Sequence, residues 1–317
     1  LEEQNARGTI FDADGKPLAF TMLSEGEEVR KYPYGSLYAH VVGQVNKGTS
    51  GLEAVKEIDL LSSSTGELSK LLYRIKNAQI PGNNLFTTLR TDLQEEVYEA
   101  LAGYSGAACV TEVASGALLA SVSLPDFEPE EAELYGKEEN GPFFNRAFYG
   151  EYPVTDATEL FRTAAEVYES GIPTPFGETV KTDGSVLTPV GGAMFAGACG
   201  NRGVYLMPYV AEKLTEASGK TIYRTEKERV RLLTEEEAQN YYDAFSVIKT
   251  EDGGSYRYAE TEVDSGTLGK KHCLAMALVP AENPKNAVCV VIEQRRGRND
   301  GVLRNAVERI VRAADIP

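Results

Sequence analysis

Two apolar runs of strand length, residues 273–280 and 287–294, flank Ala281-Glu282-Asn283-Pro284. No other feature narrows the fold as much. A short connection containing proline joins neighbouring antiparallel strands, so the two runs form a hairpin of buried strands. Residues 302–313 follow as a closing helix. The pattern also occurs earlier in the chain. Residues 92–103 form an amphipathic helix with Leu93, Val97, Ala100 and Leu101 on one face. Strands 107–113 and 117–122 come next, joined by a turn at Ala114-Ser115-Gly116. Strand pairs with helices at both ends predict an α+β fold, an antiparallel sheet covered by helices.

The segment before residue 85 is richer in β-structure. Residues 9–12 and 17–22 are strands around Ala13-Asp14-Gly15-Lys16, because Asp-Gly favours a hairpin turn. Residues 38–45 form another β-rich run. Ser50 caps a short helix reaching Leu61, residues 62–66 form a polar loop, and Pro81-Gly82-Asn83-Asn84 turns into a strand over 85–89. The chain therefore divides into a small N-terminal domain, residues 1–84, and a larger one, residues 85–317. In the larger part, 124–141 is an acidic loop, and 158–170, 188–199 and 234–249 are helices. Pro189 fits a first turn, and Thr234 with Glu237 makes a capping box. Residues 203–214 and 221–223 are strands of a further hairpin.

Composition excludes several classes. The net charge of −16 argues against nucleic acid, which is bound through clustered Lys and Arg, and against docking on an anionic membrane surface. No apolar run approaches the roughly 18 residues needed to span a bilayer. Cys109, Cys199, Cys273 and Cys289 are scattered without a C-x-x-C pair, so zinc or redox motifs are not indicated and buried free thiols are expected. Neither His40 nor His272 has neighbours suggestive of a Ser-His-Asp triad. The glycines at 191–192 and 197–200 lack the Lys-Ser/Thr of a phosphate loop and suit close helix packing. Arg295-Arg296-Gly297-Arg298 is a basic cluster in an acidic chain, either a solvated loop or a contact for an acidic partner.

A colinear set of short matches then appears. Arg7-Gly8-Thr9-Ile10-Phe11-Asp12, Tyr32-Pro33-Tyr34-Gly35, His40-Val41-Val42-Gly43 and Gly51-Leu52-Glu53 occupy the first domain. Leu85-Phe86-Thr87-Thr88-Leu89, Ser115-Gly116-Ala117-Leu118-Leu119-Ala120 and Ser123-Leu124-Pro125-Asp126-Phe127 open the second. Asn145-Arg146 and Tyr152-Pro153, Leu187-Thr188-Pro189, Asn201-Arg202-Gly203 and Val279-Pro280-Ala281 continue the order. Together they resemble class B penicillin-binding proteins, over nearly the whole chain. The resemblance implies a penicillin-binding/β-lactamase-like transpeptidase domain behind a membrane-proximal, pedestal-like or dimerisation domain.

The chain departs from that family at its chemistry. Asn-Arg and Tyr-Pro should lead into Ser-x-x-Lys, but the serine and lysine positions hold Asp156 and Glu159. The Lys-Thr-Gly motif aligns with Asp264-Ser265-Gly266, followed by Thr267. Only the short run from Glu159 to Leu187 stands where the family carries its middle motif, so the helical lobe is expected to be trimmed. An acyl-transfer site needs a nucleophile and a base to activate it. Two carboxylates in place of lysines reverse the field that would steer an anionic substrate. Asp156 and Glu159 also suit a helix start, with Thr155 or Asp156 as cap. Without a third ligand they are a weak cation site or hydrolytic pair. The one literal Ser-x-x-Lys is Ser246-Val247-Ile248-Lys249, expected one turn apart on the 234–249 helix.

Three readings follow. The resemblance implies a non-catalytic scaffold or regulator of peptidoglycan synthesis on the extracytoplasmic face of a bacterial membrane. An N-terminal helix preceding Leu1 would anchor it, its partner would be a polytopic glycan polymerase, and peptidoglycan peptide is a further ligand. An active D,D-transpeptidase or carboxypeptidase using Ser246 and Lys249 is the alternative. A repurposed binding or hydrolytic module using its acidic groove is the third. No cofactor and no metal is expected.

Overall fold

The hairpin around Pro284 folds as the apolar runs predict. Lys270–Val279 pairs antiparallel with Asn286–Arg296, Val279 opposite Asn286 and Cys273 opposite Ile292. The computed structural model describes residues 5–24, 27–76, 78–136, 141–296 and 301–315. Gly297 and Arg298 of the basic cluster lie outside the described residues, as do the side chains of Arg295 and Arg296. Two compact units form, and neither is one continuous stretch. The first holds Leu1–Arg90, Asp126–Lys137 and Val210–Glu226; the second holds Thr91–Pro125, Glu138–Tyr209 and Lys227–Pro317. This grouping differs from a linear division after residue 84. Asn84–Thr87 sits inside the first unit's sheet, between Ala211–Thr215 and Ile10–Phe11.

That sheet has six strands in the order Thr221–Arg224, Ala211–Thr215, Asn84–Thr87, Ile10–Phe11, Pro17–Ser24, Glu27–Lys31. The expected strand over 38–45 is not formed. Gly35–Tyr38 is a 3-10 turn, and the next carbonyls bend to meet a helix start. The Leu52 and Glu53 N–H groups donate to the carbonyls of Val41 and Val42 at 2.9 and 3.0 Å. Those contacts satisfy donors that a helix leaves orphaned, which outweighs the β-propensity of the run. The helix after Ser50 is broken at Lys56 into Gly51–Val55 and Glu57–Leu61. Glu67–Ile75 forms a further helix.

The second unit is built on a six-stranded antiparallel sheet. Its order is Ser246–Lys249, Ser255–Asp264, Lys270–Val279, Asn286–Arg296, Gly106–Glu112, Leu118–Leu124. Alternate residues face two different layers. Ala108, Val110, Ala275, Ala277, Val288 and Val290 pack with Leu93, Val97, Val307 and Ile310 of helices Thr91–Leu101 and Val302–Ala314. The opposite face carries Pro189–Gly200, a helix buried from Pro189 to Cys199 and apolar all round, as a core helix must be. Thr188 caps it, its hydroxyl accepting the Gly191 N–H at 3.1 Å. A Cβ on Gly192 would lie 2.6 Å from the Cys289 sulfur, so this helix approaches the sheet because glycine faces it. Gly192→Ala is expected to destabilise by about 1–3 kcal/mol through overpacking. Cys289→Ala in that background should restore part of the loss, read from urea midpoints.

The helix expected over 234–249 stops early. It spans Glu235–Ala244, with the Thr234–Glu237 capping box intact. Phe245 turns to extended geometry and is buried, and Ser246–Lys249 becomes the edge strand. The β-branched pair Val247-Ile248 and the Thr250–Gly254 turn, closed by Gly253 at φ 89°, favour a hairpin over another helical turn.

Candidate functional site

The segment resembling the run into a catalytic serine is folded tightly as far as Tyr152. The Asn145 side chain accepts the Ala147 N–H at 3.1 Å and caps the short helix Arg146–Tyr149. Arg146 is buried, and its Nε donates to Glu293 at 3.1 Å. Glu293 also accepts the Ser105 hydroxyl at 2.6 Å and the Tyr152 hydroxyl at 2.9 Å. Tyr152-Pro153 then pairs antiparallel with Val186-Leu187. The asparagine-arginine and tyrosine-proline pairs therefore clamp the backbone that delivers the next helix.

That helix is Glu159–Glu166, shorter than the expected 158–170. Its cap is Thr158, not Thr155 or Asp156, and the Thr158 side chain makes no capping hydrogen bond. Asp156 and Glu159 are both exposed at the helix head, while Ala157, Leu160 and Phe161 are buried. Carboxylates there are favoured by the partial positive charge of the helix N-terminus. The Thr158 N–H points to the Thr261 hydroxyl at 3.4 Å. The strand residue facing the helix head is thus Thr261. The alternation of buried Thr261 and Val263 with exposed Glu260, Glu262 and Asp264 was the available signal, and the sequence reading missed that strand. Between Glu166 and Val186 the chain forms only the small hairpin Ile172–Pro173 and Thr179–Val180.

The remaining candidates are spread out. Asp264 ends the strand Ser255–Asp264, is exposed, and accepts the Gly266 N–H at 2.9 Å. Ser265 donates to the Lys270 carbonyl at 3.0 Å and accepts the Thr267 N–H at 3.3 Å. Asp264, Ser265, Gly266 and Thr267 therefore build a turn between two strands, with Gly266 at φ 69°. Ser246 and Lys249 are on a strand, not a helix, which corrects the expectation of a one-turn spacing. Residues three apart on a strand point to opposite faces, so a serine-lysine pair cannot form there. Among the described residues no cluster of three or more His, Cys, Asp or Glu could hold a metal ion.

What the structure does gather is a cleft of about 940 Å³, lined by Ser105, Arg146, Tyr152, Ser265, His272 and Glu293 among others. Burial pushes the Glu293 carboxyl up, but the Ser105 hydrogen bond, the Arg146 charge and the Tyr152 hydrogen bond outweigh it and hold it below its usual range. Burial lowers the His272 imidazole, against the opposing charges of Glu293 and Asp264. His272 stacks edge-on to Tyr152 at 5.3 Å and accepts the Gln294 N–H at 3.4 Å. Ser105 donates to a stable carboxylate and Ser265 to a backbone carbonyl, so neither hydroxyl is handed to the imidazole. A nucleophile needs a base within hydrogen-bond reach; among the described residues of the cleft, Ser105 reaches a carboxylate already paired with Arg146, and no serine-histidine hydrogen bond is made. The cleft is a packed polar network rather than an assembled triad. Its members are far apart in sequence, so spacing could not reveal it.

The chain is 29% identical over 188 residues to the peptidoglycan D,D-transpeptidase MrdA of Salmonella typhimurium, covering 46% of this chain and 30% of that protein. It is 27% identical over 195 residues to the peptidoglycan D,D-transpeptidase PbpA of Mycolicibacterium smegmatis, covering 55% of this chain and 40% of that protein. The match thus spans well under half the length of either relative. Penicillin-binding protein A from M. tuberculosis, solved as an imipenem acyl-enzyme, superposes with a TM-score of 0.80 at 19% identity over 100% of both chains. The D,D-transpeptidase domain of a peptidoglycan glycosyltransferase from Eggerthella lenta gives 0.73 at 18% identity, over 98% of both chains. No family model matches the chain. The chain is homologous to class B penicillin-binding D,D-transpeptidases and has their fold.

Proposed function

From this homology we propose that the protein is a non-catalytic penicillin-binding-protein homologue, acting as a scaffold or regulator of peptidoglycan synthesis on the extracytoplasmic face of a bacterial membrane. One observation carries the reading. At the head of the helix where the family places its nucleophile and lysine, this chain presents exposed Asp156 and Glu159. Neither supplies a hydroxyl or a cation, and loss of the nucleophile alone costs on the order of 10⁶ in rate. The two carboxylates would also repel a peptide ending in a carboxylate. The acylation alternative using Ser246 and Lys249 loses support, because strand geometry separates those side chains. A polytopic glycan polymerase remains the proposed partner and an N-terminal helix the proposed anchor. No helix among the described residues is long and apolar enough to cross a membrane.

Incubation with a fluorescent penicillin, followed by denaturing electrophoresis, tests the proposal. No covalent band above the heat-denatured control is expected. A band that disappears in Ser246→Ala would overturn the non-catalytic reading and restore the acylating one.

A further inference from the structure

The helix Glu67–Ile75 is turned inside out. Leu68, Leu71, Leu72 and Ile75 recur at helical spacing, and exposures of 74, 51, 50 and 71% put all four in solvent. A surface helix of a globular unit normally turns such a stripe inward. Ten of the twelve large apolar side chains exposed among the described residues belong to the first unit, four of them on this helix. The exposure is therefore concentrated, not the scattered kind that needs no explanation.

We propose that this helix lies on an anionic phospholipid bilayer, inserting Leu68, Leu71, Leu72 and Ile75 among the headgroups. Charge favours that occupant. The segment carries Lys70, Arg74 and Lys76 against Glu67, which pairs with Lys70 at 2.9 Å, in a chain whose net charge is −16. Lys76 is exposed beside Ile75, and Tyr73 is half-buried on the flank of the stripe. Apolar residues on one side, with an exposed lysine and an aromatic ring beside them, fit the boundary between acyl chains and anionic headgroups. Area favours it as well. A helix of nine residues is roughly 13 Å long. Its four apolar side chains fall far short of the ~800 Å² per partner that a stable protein pair buries. A bilayer surface makes no such demand, since a helix lying in it embeds to about 5–10 Å. The attraction is local and acts within a Debye length of the surface, so the acidity of the whole chain does not forbid it.

Co-sedimentation of the whole chain with vesicles of phosphatidylglycerol and phosphatidylcholine, and with phosphatidylcholine alone, tests this. Binding to the anionic vesicles is expected, weakened by salt and weaker on phosphatidylcholine. Leu71→Glu with Ile75→Glu should weaken it by about tenfold or more, the effect of withdrawing two apolar side chains. Both sites are exposed, and far-UV circular dichroism checks that the fold is kept. Ile222→Glu, an exposed apolar site elsewhere on the unit, should bind like the parent. Lys76→Glu should reduce binding to anionic vesicles only. Failure of the parent to bind either vesicle overturns the proposal, and so does undiminished binding by the double variant. Self-association without vesicles that the double variant abolishes would also overturn it, by assigning the face to a second copy.

Discussion

Glu53→Ala is expected to destabilise the first unit by about 3–5 kcal/mol, the cost of breaking a buried ion pair from one side. Glu53 is fully buried and is reached by two guanidinium groups, Arg7 Nε and Arg30 Nε, each at 2.7 Å. Arg30 also donates to the Gly8 carbonyl at 2.8 Å, and the Tyr32 hydroxyl lies 3.4 Å from the carboxylate. Burial, then the Glu53 charge, pushes the Tyr32 phenol above its usual range. Removing the carboxylate leaves two cations facing each other with little water. A triple replacement by Met at Arg7 and Arg30 and Leu at Glu53 should recover much of the loss, because burying the charges is itself expensive. Urea denaturation followed by far-UV circular dichroism measures both; the chain has no tryptophan to report by fluorescence. A loss below about 1 kcal/mol, the range of exposed pairs, would show that the network is solvated and not a clasp.

Arg146→Met is expected to cost the second unit a similar amount, about 3–5 kcal/mol at neutral pH. The variant leaves Glu293 with the Ser105 and Tyr152 hydroxyls but no cation. The pH dependence separates this from simple loss of packing. In the parent the folded Glu293 pKa lies below the ordinary value. Its stabilisation is therefore present above the unfolded pKa of about 4.3 and is lost as pH falls through the folded value. The difference between parent and variant should shrink over that window, because protonated Glu293 no longer needs Arg146. His272 acts in the same direction at higher pH. Its folded pKa is lowered, so the unfolded chain takes up the proton first, and stability falls as pH drops below about 6.5. A parent-minus-variant difference that stays flat from neutral to acid pH would refute the charge argument.

Much of the fold was written locally. The runs around Pro284, the hairpin around Ser115-Gly116, the Thr234–Glu237 box and the proline-initiated helix at Pro189 are all signals within a few residues, and all are present. The fold departs from local propensity where a distant partner outweighs it. Residues 38–45 give their carbonyls to the helix at Gly51–Val55, and Ser246–Lys249 leaves its helix to pair with Ser255–Tyr258.

The candidate site divides in the same way. The sequence by itself determined that Asp156 and Glu159 follow Tyr152-Pro153, because residue identity is covalent information. Tertiary structure alone decided the rest. It brought Thr261 to Thr158, set Ser246 and Lys249 on opposite faces of a strand, and gathered Ser105, Arg146, Tyr152, His272 and Glu293 into one cleft. It also left the stripe of the helix Glu67–Ile75 facing outward. Hydrogen bonds and ion pairs depend on distance in space, and a chain that doubles back across a six-stranded sheet brings residue 105 beside residue 293 without any trace in their spacing.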